Sequence, residues 1–187
     1  MYEKFFGLQE RPFDLSPNPR FLVWTEAHRE VLSNLEYGIS SRKGVTLVIG
    51  APGAGKTTLV RAALQRQPEH VHSVHVQNPA LSRQEFVETL AVRFGLSPAA
   101  AQSKATMLME LERVLIHRQA RGEFSVLVVD EAQSAPAEIL EEIRLLANIE
   151  ADDYKLLSVI LAGQPELAKR LDRADLRQLR QRVALRC

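Results

Sequence analysis

Apolar positions along this chain follow two rhythms, and their alternation predicts an α/β domain. Val45–Ile49, Phe124–Val129 and residues 156–162 are short continuous apolar runs, as expected of strands buried on both faces of a parallel sheet. Residues 71–77 alternate and predict a further strand, ending at Asn78-Pro79. Between these runs, apolar residues recur at spacings of three and four, which predicts helices. They cover 26–41 (Val31, Leu32, Leu35, Ile39), 56–66, 82–94 (Phe86, Leu90, Phe94), 104–121 (Met107, Leu108, Leu111, Leu115, Ile116) and 137–149 (Ile139, Leu140, Ile143, Leu146). Thr25 is a plausible N-cap, Ser82 and Glu85 form a capping-box pair, and Gly95 and Gly122 mark helix ends. Helices alternating with strands over connections of this length imply right-handed crossovers, hence a mostly parallel sheet with helices on both faces. Residues 1–20 hold three prolines and no helical period, so an irregular arm is expected, anchored by Phe5, Phe6, Leu8 and Phe13.

Composition bounds this picture. The 187 residues suit one α/β domain, and 45% apolar with 25% charged residues is ordinary for a globular chain. The one cysteine, Cys187, excludes an internal disulfide framework and a cysteine-rich zinc site, which fits the cytosol. No apolar run reaches the ~18 residues of a membrane helix, and residues 1–11 lack a signal-peptide pattern, so a cytoplasmic chain without a membrane segment is expected. The net charge of +1 conceals an asymmetry: residues 169–187 hold seven basic and two acidic residues. That end reads either as a solvated helix face or as a surface meeting a neighbouring subunit's nucleotide or nucleic acid. His28, His70, His72, His75 and His117 have no carboxylate or cysteine partners at ligand spacing, and no Ser/His/Asp arrangement stands out.

The strongest chemical signal is GAPGAGKTT, entered from Val45–Ile49 and followed by a helix. Strand, glycine-rich turn and helix start are the context a phosphate-binding loop requires. Gly50, Gly53 and Gly55 allow a tight curl, so that backbone N–H groups from Ala51, Pro52's neighbours, Ala54 and on to Thr58 converge on phosphates at the helix N-terminus. Lys56 would reach the β- and γ-phosphates, and the Thr57 hydroxyl would ligate Mg²⁺. The strand 124–129 then ends in Asp130-Glu131, two carboxylates at the sheet edge where ligands of open α/β folds bind. Asp130 is assigned to the metal and Glu131 to the water that attacks the γ-phosphate. The strand 156–162 ends in Gly163-Gln164-Pro165; Gln164 would contact the γ-phosphate and the water, or simply stabilise a turn. Asn78 would restrain Glu131, or cap. A small-substrate kinase would want an arginine-rich lid and no glutamate after Asp130, so the Asp-Glu pair speaks against it.

With these residues laid out, the chain resembles the AAA+ ATPases of the general secretion pathway protein A (ExeA) type. The stretches carrying the resemblance are FFGLQERPFDLSPNPRF, LSNLEYGI, GAPGAGKTT, VVDEAQ, EEIRLLANIE, ILAGQPEL and LRQLRQRV. The resemblance implies a P-loop NTPase of AAA+ type, with a mostly parallel five-stranded sheet and no helical lid in this chain. Residues 1–43 would be an arm and helix contributing to the nucleotide pocket, with Pro12 and Phe13 on the adenine side, and 44–187 the ATPase core. ATP and Mg²⁺ are the implied ligands: Gly50 to Thr58 hold the nucleotide, Thr57 and Asp130 the metal, and Lys56, Glu131 and Gln164 serve catalysis. Arg182, with Arg177 second, would act on a neighbour's nucleotide in a ring or filament; the alternative is that these arginines cap a helix. The implied partners are envelope secretion or pilus components. The same core also resembles transposition-regulator ATPases, for which the partners are a transposition complex and nucleic acid. Family members continue into a lid and often a membrane anchor, so this chain is expected to be a fragment or minimal core, held at the inner face of the membrane, if at all, through regions outside it.

Overall fold

The structure, a computed structural model, describes residues 5–9, 24–151 and 154–187. In chain order the elements are α1 (Glu26–Ser40), β1 (Val45–Ile49), α2 (Lys56–Gln65), β2 (Val71–Val76), α3 (Arg83–Phe94), α4 (Pro98–Gln102), α5 (Lys104–Ala120) and β3 (Phe124–Val129). There follow a 3₁₀ turn Ala132–Ser134, α6 (Ala137–Leu146), the strands β4 (Glu150–Ala151) and β5 (Tyr154–Lys155), and β6 (Leu157–Gly163). The chain continues through α7 (Pro165–Leu171), a 3₁₀ turn Ala174–Leu176, α8 (Arg177–Arg182) and β7 (Val183–Arg186).

Five strands form one sheet in the order β2-β3-β6-β1-β7, and every pairing in it is parallel. The continuous apolar runs are explained by two-sided burial. Phe124, Val126 and Val128 join Val48, Ile160 and Ala162 against α1 and α2, while Leu127 and Val129 join Leu47, Val159 and Leu161 against α3, α5, α6 and α7. Successive side chains of one strand point to opposite faces, so both faces need apolar residues. The caps stand as the sequence indicates. Thr25 accepts from the His28 N–H, Ser82 and Glu85 form the reciprocal capping box, and Gly95 closes α3 in the left-handed region at φ 70°.

Some expectations fail. Ile116 is 50% exposed, because the buried stripe of α5 is Met107, Leu111 and Leu115, a narrower face than the spacing suggested. Phe5 and Phe6 are 82% and 68% exposed and contact each other edge-on, so neither anchors the arm on this chain's core; Phe13 lies outside the described residues. The short α4, capped by Ser97 with Pro98 at its first turn, and the edge strand β7 were unassigned in the sequence reading.

Candidate nucleotide site at the strand ends

Three loops leave the carboxyl ends of β1, β3 and β6, which are neighbours in the sheet, and the site is built from them. After β1, the chain curls through Gly50–Gly55 and enters α2 at Lys56. Gly53 and Gly55 sit at φ +77° and +79°, where a Cβ would be strained. At Gly50 the constraint is space: a Cβ would lie 3.3 Å from the Ala54 methyl and 3.5 Å from the Lys56 side chain. The loop from Ala51 to Ala54 is exposed, at the N-terminus of a ten-residue helix, so the helix dipole and the N–H groups of the first helical turn face an anion there.

Lys56 is buried, 7% exposed, and its Nζ donates to the carbonyl oxygens of Gly50 and Ala51, 3.0 Å each. An ammonium held inside its own loop by two carbonyls is positioned over the cradle that phosphate oxygens would fill. Thr57 Oγ1 donates to Asp130 Oδ2, and Asp130 Oδ1 accepts the Glu131 N–H at 2.9 Å. A hydroxyl and a carboxylate oxygen, both hard ligands, thus face each other beside the phosphate cradle. Mg²⁺ takes one or two such protein ligands and completes its shell with water and substrate phosphates. Among the described residues no group of three His, Cys, Asp or Glu could hold a metal by itself, so the fit is to Mg²⁺ shared with a nucleotide.

Glu131 stands in the left-handed region, φ 52° and ψ 35°, an uncommon conformation for a residue with a side chain. It turns the chain sharply into the 3₁₀ turn and leaves its own carboxylate exposed at the site. Glu131 Oε2 accepts from Gln133 Nε2 at 2.5 Å, and Gln164 Nε2 lies 3.5 Å away, at the limit of a hydrogen bond. Gln164 makes no side-chain bond to the N-terminus of α7, so the turn-stabilising alternative has no contact behind it. Gly50 N–H donates to the Gly163 carbonyl at 3.2 Å, which ties the phosphate loop to the end of β6.

Asn78 does not restrain Glu131. Its Oδ1 accepts the Ala80 N–H at 3.2 Å in a local turn, the capping alternative. The residue at Glu131 is instead Gln133, to which the sequence reading gave no role; the signal was its place two residues after Glu131 in VVDEAQ. His75, on β2, titrates below its ordinary value because it is partly buried, with Arg61 adding to the effect and Asp130 opposing it. Pro12 and Phe13 lie outside the described residues.

Arg182 is remote from this assembly. It precedes Val183, which pairs with Val45 at the start of β1, so the length of β1, about 16 Å at ~3.3 Å per residue, separates it from the phosphate loop. Arg180 pairs with Asp172 at 3.0 Å, and Arg177 lines a cleft with Asp172, Arg173 and Arg180.

The model of the family described as AAA domain matches residues 39–171. General secretion pathway protein A of Aeromonas hydrophila is 42% identical over all 187 residues, and the chain spans 34% of that relative's length. The ATP-dependent target DNA activator B of Escherichia phage Mu is 29% identical over 144 residues, covering 77% of this chain and 42% of that protein. Among solved structures, the Aeropyrum pernix ORC2 protein aligns with a TM-score of 0.65 at 18% identity, over 87% of this chain and 47% of that one. Cdc6p from Pyrobaculum aerophilum aligns with a TM-score of 0.63 at 20% identity, over 88% and 46%. These two bear on the fold alone, and they agree with a P-loop fold of AAA type.

Proposed function

The chain belongs to the AAA domain family, and on that premise we propose that it is an ATP-binding and ATP-hydrolysing core that drives assembly of a larger envelope complex. The observation that carries the chemistry is the convergence of the Lys56 cradle, the Thr57–Asp130 pair and Glu131 at adjacent strand ends. The observation that favours an envelope system is 42% identity to general secretion pathway protein A along the whole chain.

In this reading the loop Gly50 to Thr58 surrounds the phosphates, main-chain N–H groups from Gly53 to Thr58 and the Lys56 ammonium bind the β- and γ-phosphates, and Pro12 and Phe13 contribute to the adenine side. Thr57 and Asp130 hold Mg²⁺, which when bound neutralises charge on the transferring phosphate. Glu131 orients the attacking water and accepts its proton as the bond to the γ-phosphorus forms and the bond to the β–γ bridging oxygen breaks. Gln164 contacts the γ-phosphate from the central strand. Arg182 is too far from its own phosphate loop to reach it, so it acts on the nucleotide of the next protomer in a ring or filament. Such an arginine contributes ~10³–10⁵ in turnover.

The test compares Glu131→Gln with Asp130→Ala. Glu131→Gln is expected to retain ATP and stop turnover, whereas Asp130→Ala weakens the magnesium-dependent part of binding. Two variants with the same binding and the same turnover overturn the division of roles. A second reading, in which the core serves a DNA transposition complex, is supported by the 29% identity to the phage Mu activator and by the seven basic residues of 169–187. It predicts turnover stimulated by duplex DNA with a steep salt dependence; the envelope reading predicts indifference to DNA.

A further inference from the structure

The Glu131 carboxylate is held by a neighbour with a polarity of its own. Gln133 Nε2 donates to Glu131 Oε2 at 2.5 Å, while its Oε1 accepts the main-chain N–H of Gln164 at 3.0 Å. The first partner can only accept and the second can only donate, so the amide has one possible orientation; flipping it would set oxygen against carboxylate and NH₂ against N–H. One half-buried side chain therefore joins the loop after β3 to the end of β6. The approach is close. A Cβ on Gly163 would lie 2.9 Å from Gln133 Oε1, so the absence of a side chain at Gly163 is what admits the amide. The main chain of Gln133 is fixed from the other side, because Arg170 NH1 on α7 donates to its carbonyl oxygen at 2.5 Å.

The geometry points to Gln133 as the positioning residue that sets the Glu131 carboxylate in register with Gln164, with Arg170 of α7 as the anchor of that turn. The strain at Glu131 makes such support necessary. A residue in the left-handed region persists only where its surroundings over-determine it, and here a side-chain amide, a guanidinium and the Ser134 hydroxyl on the Glu131 carbonyl supply the constraints. Glutamine is required by the arrangement. Glutamate could accept from Gln164 N–H yet would face Glu131 with like charge, and methionine fills the volume with neither bond.

This rests on the hydrolytic reading of Glu131, and the experiment separates the two. Turnover and ATP affinity are measured for the full chain, its Gln133→Met and Gln133→Glu variants, and Arg170→Lys. Gln133→Met is expected to lower kcat by ~10²-fold, the cost of a misplaced reacting group, with the ATP Kd within about twofold of wild type. Gln133→Glu, which keeps the length and the acceptor toward the Gln164 N–H but sets like charge against Glu131, is expected to lose kcat as far as Gln133→Met with the same thermal unfolding midpoint as wild type; a purely structural role would lower that midpoint along with kcat. Arg170→Lys, which keeps the charge but shortens the reach, is expected to fall between wild type and Gln133→Met. An active wild type whose Gln133→Met variant turns over ATP as fast or faster overturns the inference alone. A wild type that binds ATP, with no turnover at any protein concentration, overturns the hydrolytic reading and this inference with it.

Discussion

Replacing Lys56 with alanine should convert a nucleotide-stabilised protein into one nearly indifferent to ATP. The Lys56 ammonium is 7% exposed and satisfied by the carbonyls of Gly50 and Ala51. Hydrogen bonds to charged groups contribute about 1.5–3 kcal/mol each, so if Lys56→Ala loses one net charged contact with phosphate, taken at about 2.7 kcal/mol, Kd rises ~100-fold. Ligand that binds only the folded state stabilises it by RT ln(1 + [L]/Kd), about 2.7 kcal/mol at a hundredfold excess over Kd. For a chain of this size each kcal/mol moves Tm by about 2–4 °C, so wild type should gain roughly 5–11 °C. At the same ATP concentration the variant, with Kd raised ~100-fold, retains about 0.4 kcal/mol and a rise of roughly 1–2 °C. Thermal unfolding followed with and without ATP and magnesium reads both numbers, and calorimetry supplies Kd. A variant whose ATP-dependent rise equals that of wild type would show that this lysine does not meet the phosphates.

Three further predictions follow from other parts of the molecule. Protomers carrying Lys56→Ala keep Arg182, and those carrying Arg182→Ala keep the ATP site, so a mixture should recover turnover that neither has alone; wild-type turnover linear in protein concentration down to the monomer refutes action in trans. Glu142, 4% exposed, receives Arg83 at 2.6 Å and Lys104 at 2.8 Å and so clamps α6 to α3 and α5. Glu142→Ala frees two cations that can turn to water, so its cost is the lost charged hydrogen bonds, about 1.5–3 kcal/mol in urea unfolding; no change would show the clamp to be idle. For His75, whose folded-state pKa lies below the ordinary 6.5, the neutral form is favoured by folding. Its contribution is present above 6.5 and lost as pH falls, so wild-type stability should decline below pH 6.5 more steeply than that of His75→Gln; parallel curves in a denaturation series across that range would contradict the sign.

The parts of this molecule that were legible in the sequence are those decided by residues close together in the chain. Val45–Ile49 and Phe124–Val129 were placed to the residue, because burial on both faces forces an unbroken apolar run. The phosphate loop was legible because every group it needs lies within nine consecutive positions. The failures have the opposite character. β7, with every second residue exposed at the sheet edge and arginine at its end, offers only the three-residue apolar run Val183–Leu185, and it exists through pairing with β1, some 140 positions earlier. Ile116 repeats at the right spacing, but how wide a stripe α5 buries depends on what packs against it, here a face centred on Leu111.

Gln133 falls between these cases, and it shows how the fold makes a site. Two positions from Glu131 it was visible as a polar residue, but its second contact, to Gln164, spans thirty-one positions and exists only because β6 is inserted between β1 and β3. That strand order sets the loop after β6 between the loop after β1 and the Asp130 carboxylate. The end of β6 then ties both sides, the Gly163 carbonyl accepting the Gly50 N–H on one and the Gln164 N–H donating to the Gln133 amide on the other. A displacement at any one of the three loops must therefore be felt at the other two. The Arg170 contact carries the same constraint outward to α7, whose chain leads directly into the basic segment containing Arg177, Arg180 and Arg182. If the proposed contact with a neighbouring protomer runs through that segment, it would bear on the orientation of Glu131 as well as on the γ-phosphate, and the trans-complementation mixture above tests whether turnover depends on it.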